Sequence, residues 1–236
     1  MKGGVKRVGV GLLDMYFVRL VSEGRLEMKY RVMTSLFVLL VIAVSLASAQ
    51  KISGGIKVGM NLANFYDVGD EFDGGDLKPK MGFCGGAFIA FGVGRVVVIQ
   101  PELLYSQKGA KFDVEFMDWK ITYMFNYLEI PIFIKTVFPV QGKVKPNLFL
   151  GPYFGFTITD PQGRVEIDGT IEETDLTDVE NTDFGVVFGS GVDFELGKGK
   201  IVFDVRYDLG LATLDKADDD DDVKNSVFSF LIGYAF

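Results

Sequence analysis

Glu102 and Glu129 stand in otherwise apolar runs of this chain. Two carboxylates facing one space are the minimal equipment for acid–base or glycosidase-type catalysis. Lys57, Lys108, Lys135, Asp193, Glu195, Asp204, Arg206 and Asp208 are set among apolar residues in the same way. Catalysis would need a substrate cavity beside the carboxylates. The chain has no histidine, which removes His-based triads, His metal ligands and His proton shuttles together. Cys84 is the single cysteine, so no intrachain disulfide can form, and it reads as a small inward-facing core residue. Asp218–Asp222 is a run of Asp, and Thr159–Asp183 carries nine acids against Arg164 alone. Calcium wants oxygen ligands at turn spacing, and the Asp run lacks the spaced D-x-D-x-D-G pattern. These stretches read as solvated loops, with loose divalent-cation bridging to anionic lipopolysaccharide as a further possibility. Gly92-Val93-Gly94 and Gly197-Lys198-Gly199 read as hairpin turns rather than phosphate loops, because no helix follows either. No catalytic, cofactor-binding or metal-binding residue is assigned, and no cofactor is expected.

The charged residues acquire a place once the elements that carry them are identified. Phe228, Phe230, Ile232, Tyr234 and Phe236 occupy every second position, with Ser229, Leu231, Gly233 and Ala235 between them. A period of two sends alternate side chains to opposite faces of a strand. One face is bulky and aromatic, and the other is slim. A wall strand of a membrane barrel has that character.

The same rhythm recurs in eight segments, about Ile52–Phe65, Lys80–Phe91, Val96–Lys108, Thr122–Thr136, Asn147–Thr159, Phe184–Leu196, Lys200–Leu211 and the final strand. Each is at or above the roughly 9–11 residues that a tilted strand needs to cross a bilayer. The connections alternate in length. Asp67–Pro79, Gly109–Ile121, Asp160–Asp183 and Ala212–Val223 are long and mostly acidic, while Gly92–Arg95, Val137–Pro146 and Gly197–Gly199 are shorter. Transmembrane barrels have long outer loops and short periplasmic turns. Trp119 falls in an expected outer loop, near the interfacial belt. Arg95, Lys143, Lys145, Lys198 and Lys200 gather at the short turns, where they suit inner-leaflet phosphates, a periplasmic partner or simple solubility.

The slim faces then define a lumen. Eight strands leave an interior just wide enough for side chains to fill. Buried charges must be paired, so Glu102, Glu129, Arg206, Lys57, Lys108, Lys135 and Asp204 are expected to form a packed ionic network. In it Glu102 and Glu129 would flank Arg206. Structural filling is the simplest role, and a narrow ion path or small-molecule site is the functional alternative.

The N-terminal region predicts export. Lys29 and Arg31 precede the apolar run Val32–Leu46, and Ala47-Ser48-Ala49 forms a small-x-small cleavage site, so a signal helix over 28–49 is removed and the mature chain starts at Gln50. Met1–Glu27 reads as an over-extended start, with an unusually long n-region as the alternative. An uncleaved anchor is a third reading, although the apolar run is short for a span. The net charge of −8 becomes more negative after cleavage and argues against nucleic-acid binding.

Gln100-Pro101-Glu102-Leu103-Leu104-Tyr105-Ser106-Gln107-Lys108-Gly109-Ala110-Lys111 resembles the most recognisable segment of the PorT-like outer-membrane β-barrel family. Tyr127-Leu128-Glu129-Ile130-Pro131, Gly151-Pro152-Tyr153 and Gly55–Asn61 resemble other segments of it, in the right order. The resemblance spans 50–236 and implies an outer-membrane location and a small barrel, with little about activity. The final strand resembles the signal read by barrel assembly machinery, with Tyr234 and Phe236 as its aromatic positions, and departs from it at Leu231, where Gly is usual.

The expected architecture is all-β: an eight-stranded antiparallel up-and-down transmembrane barrel over 50–236, preceded by the signal helix. The expected function is a non-enzymatic outer-membrane protein with acidic outer loops and an envelope contact or structural role. Its expected partners are outer-membrane lipid, the assembly machinery and an envelope protein. The alternatives are a narrow channel or export-assembly component, a membrane-embedded hydrolase or acyltransferase that the lack of His disfavours, and a soluble lipocalin-like periplasmic carrier. The carrier would bury its aromatics and face its charges outward.

Overall fold

The computed structural model describes residues 52–68, 75–114, 119–167, 169–177, 179–215 and 223–236. The proposed signal segment 28–49, the preceding 1–27, the start at Gln50 and the Asp218–Asp222 run lie outside the described residues.

The described chain forms β1 (Ile52–Tyr66), β2 (Asp76–Val93), β3 (Val97–Lys108), β4 (Ala110–Val114), β5 (Trp119–Val137), β6 (Val144–Thr157), β7 (Gln162–Ile167), β8 (Thr170–Asp175), β9 (Thr182–Leu196), β10 (Gly199–Gly210) and β11 (Lys224–Ala235). Eight of these close a ring in the order β1-β2-β3-β5-β6-β9-β10-β11, and β11 pairs back onto β1. Every pairing is antiparallel. At the seam Phe236 N donates to Gly54 O at 2.8 Å. Closure matters because lipid offers no partner to an unpaired backbone group, so only a sheet without edges can span it.

The period of two decides which side faces out. In β11 Phe228, Phe230, Ile232 and Tyr234 are exposed, while Val227, Ser229, Leu231 and Ala235 are buried. Phe230 pairs with Met60 on one side and Val205 on the other, so outward apolar residues form rows around the ring. Leu150 is 63% exposed and Lys57 only 2%, the reverse of a water-soluble protein. The lipocalin-like alternative required the opposite arrangement and is overturned by it.

Small residues on the inner face make room for large neighbours. A Cβ on Gly185 would lie 2.7 Å from the Tyr153 ring, and one on Gly189 would lie 2.6 Å from that of Phe149. Both rings are buried in the lumen with Phe133 and Val187.

Two connections expected as loops contain strands. β4 pairs with the outer part of β2 and with β5, β7 pairs with β5, and β8 pairs with β7. The reason is alternation of the soluble kind. Phe112, Ile121 and Val165 share one face by register, and Lys111, Thr122 and Arg164 share the other. Gly169, at φ 79°, makes the tight β7–β8 turn that an L side chain resists. Trp119 therefore begins β5 in this outer sheet, paired with Val114 and Ile167, rather than lying in a loop.

The outer end of the barrel is filled by an apolar cluster of Phe65, Ala110, Phe125, Tyr127, Leu214 and Val223. Phe125 stacks on Tyr127 with ring centroids 6.0 Å apart. Leu214 is tied in by its N–H to Val223 O and by its carbonyl to Glu180 N, each 2.8 Å.

Candidate functional site

Alternation on the wall strands turns a set of charged side chains inward, and their heights follow from their positions along the strands. Lys57 on β1, Glu102 on β3 and Asp204 and Arg206 on β10 meet in the inner half of the lumen. Lys57 Nζ lies 2.6 Å from Glu102 Oε1 and also contacts Asp204. Arg206 Nη1 reaches Glu102 Oε2 at 3.0 Å. Gln100 donates to Glu102 Oε1 at 2.7 Å, so this carboxylate receives three donors. Lys57 also lies over the Phe88 ring at 4.8 Å, and Arg206 over Phe133 at 5.7 Å.

Nearer the outer end, Lys108 on β3 pairs with Glu129 on β5 and, at 3.1 Å, with Asp183 on β9. Asp183 Oδ2 also accepts from Tyr153 Oη at 3.1 Å and Asn225 Nδ2 at 3.0 Å. Between the two groups Asn61 donates to Ser106 at 2.9 Å and accepts from Ser229 at 2.8 Å. Asp208 is buried within electrostatic reach of Arg206 and Lys108 but makes no ion pair with a described residue. At the short-turn end Lys135 and Asp193 pair at 3.0 Å, and Asn147 donates to the same oxygen of Asp193 at 3.0 Å.

The seven residues singled out in the sequence are thus all buried in the lumen, but they divide into three groups. Glu129 is paired with Lys108 and not with Arg206, because Glu129 sits further toward the outer end than Glu102. Glu195, expected inside, is exposed at the rim beyond Asp193. Asp183, Tyr153 and Asn225 were not singled out as partners. Asp183 ends the acidic stretch Asp160–Asp183, and counting back in twos from inward Gly185 places it in the lumen. Cys84 is buried and free.

The arrangement is suited to holding the wall together and poorly suited to acid–base chemistry. Glu102 is saturated by its donors, and neither it nor Glu129 lines the cavity at the short-turn end. Each buried charge removed from water costs several kcal/mol, roughly, unless paired, and bonds between opposite walls supply the pairing.

Several solved structures are similar in fold. They include the attachment invasion locus protein Ail of Yersinia pestis in complex with the heparin analogue sucrose octasulfate, at 14% identity and TM-score 0.38, covering 79% of this chain and 100% of that one. Neisserial surface protein A is 13% identical with TM-score 0.40, covering 78% and 98%. Outer membrane protein W of E. coli is 13% identical with TM-score 0.38, covering 78% and 98%. No curated protein matches the chain. Residues 48–216 match the family described as outer membrane protein beta-barrel domain. That match takes in more than half of the chain and every wall strand from β1 to β10. The chain therefore belongs to this family of β-barrels of the outer membrane.

Proposed function

We propose that this protein is a non-enzymatic contact protein of the envelope, which uses its barrel as an anchor and its outer sheet as the contact element. The observation that carries the reading is the contrast between the two ends of β5. Inside the barrel, the lumen is crossed from wall to wall by ion pairs. Outside it, β2, β4, β5, β7 and β8 make a second sheet whose last strand has a neighbour on one side only among the described residues. A strand with an open edge offers backbone donors and acceptors to a partner segment. β8 is exposed along its whole length and carries Glu172, Glu173 and Asp175, so the expected partner brings basic side chains.

The PorT-like assignment belongs to the same proposal. The four segments that resemble that family fall on β1, on β3 and its turn into β4, on β5 and on β6. Export follows through cleavage after Ala49, and insertion through the barrel assembly machinery reading Tyr234 and Phe236. Both residues face outward on or beside β11. The lumen charges act as structural filling in this reading.

Planar-bilayer recording on the purified protein separates it from the channel or export-component alternative. An electrically silent protein is expected. Defined unitary conductance steps would overturn the closed-lumen reading and favour the channel.

A further inference from the structure

The lumen is not packed along its whole length. At the short-turn end the walls line an open-mouthed cavity of about 370 Å³. Four cations line it, Lys57, Arg95, Lys135 and Lys200, with one acid, Asp193. Lys57 is matched by Glu102 and Asp204. Among the acids that line the cavity only Asp193 faces the other three; Lys135 approaches it at 3.0 Å and Lys200 at 3.7 Å. Arg95 makes no hydrogen bond or ion pair with a described residue, which leaves its five N–H donors available.

The positive excess is set against an apolar wall. Phe88, Ala90, Val202 and Ala235 pack together beside the charges. Such a wall lowers the local dielectric and strengthens the pull on an entering anion. Solubility does not explain the placement, because Lys135 is buried and points into the cavity rather than into solvent. Nor does the overall balance, since the chain carries a net charge of −8.

We propose that this cavity is a binding site for a small anion bearing phosphate or carboxylate oxygens, admitted from the short-turn side and held by Arg95, Lys135 and Lys200. Guanidinium and ammonium groups that converge on one space, with donors to spare, match oxyanion geometry.

The test uses the full chain in uncharged maltoside micelles, titrated with inorganic phosphate at constant ionic strength and followed by the amide NMR signals of Gly92, Gly94 and Gly199. A saturable shift is expected. The double variant Arg95→Gln/Lys200→Gln should weaken it about tenfold or more, the loss of charge-assisted hydrogen bonds. Both side chains lie at the rim, and retention of the heat-dependent mobility shift in SDS shows that the variant has folded. Repeating the titration in nanodiscs of phosphatidylcholine, with and without phosphatidylglycerol, identifies the source of the anion. An undiminished response in both supports a soluble ligand, and a response abolished by phosphatidylglycerol supports a lipid headgroup at the same site. Shifts that never saturate, or that saturate identically in the double variant, overturn the proposal.

Discussion

Arg206 and Glu102 touch at 3.0 Å although their strands lie opposite one another in the ring, with three wall strands between β10 and β3 on either side. The contact therefore spans the bore. Lys57, on a strand between them, closes the same cluster from the side by contacting both Glu102 and Asp204.

Removing one member of this cluster should hurt more than removing two. Arg206→Met leaves Glu102 with Lys57 and Gln100 but without its guanidinium, and we expect a loss of about 3–5 kcal/mol. Glu102→Gln/Arg206→Met should cost less than the single change, because position 102 then no longer carries a carboxylate that has lost its guanidinium. Urea-induced unfolding from lipid vesicles measures both. With the Glu102→Gln single variant measured beside them, losses that simply add would show that the two residues are not coupled.

The lipid-facing surface makes the opposite demand. Phe230 points outward in the middle of β11. Phe230→Arg should lower folding stability in bilayers by about 2–4 kcal/mol if the site lies near the midplane. Phe230→Leu should be close to neutral in the same vesicle assay.

Gly189 is needed for close approach rather than for a turn. Gly189→Val pushes against the Phe149 ring and the Val205 carbonyl, each 2.6 Å from the added Cβ. Overpacking of this kind costs about 1–3 kcal/mol. Adding Phe149→Leu should recover only part of the loss, since the backbone carbonyl remains. Denaturation midpoints of the three proteins give the comparison.

The β7–β8 hairpin should be dispensable for the barrel. Leu176 N donates to Pro161 O at 2.8 Å, so the ends of the excised segment 162–175 are already adjacent. Replacing that segment with a short Gly-Ser linker should leave the heat-dependent mobility shift in SDS intact. Binding of an envelope partner, where one is captured by the intact protein, should be lost.

These expectations show how unevenly the sequence can be read. The wall was legible because its two faces differ so sharply: Ile232 and Tyr234 cannot be confused with Gly233. The outer sheet was not, since Arg164-Val165-Glu166-Ile167 alternates over a short span inside an acidic stretch that resembles a loop. Its signal was present in Val165 and Ile167, followed by Gly169. Within the lumen, parity tells which residues face inward but not at what height they meet. Height depends on how neighbouring strands are staggered. Leu104 stands opposite Glu129 on the neighbouring strand, and Lys108 reaches Glu129 only by extending back along β3. Pairing of Glu129 with Arg206 was compatible with parity, and stagger excludes it.

β5 runs without interruption from Trp119 to Val137. At about 3.3 Å per residue this is a rod of about 60 Å. One end is clamped between β4 and β7 in the outer sheet, and the other carries Glu129, Phe133 and Lys135 into the lumen. Along this strand no hinge separates what the surroundings touch from what fills the pore. A pull on the outer sheet is therefore passed directly to the wall, where the ladders to β3 and β6 and the ion pairs of Glu129 and Lys135 are the footing of the surface display.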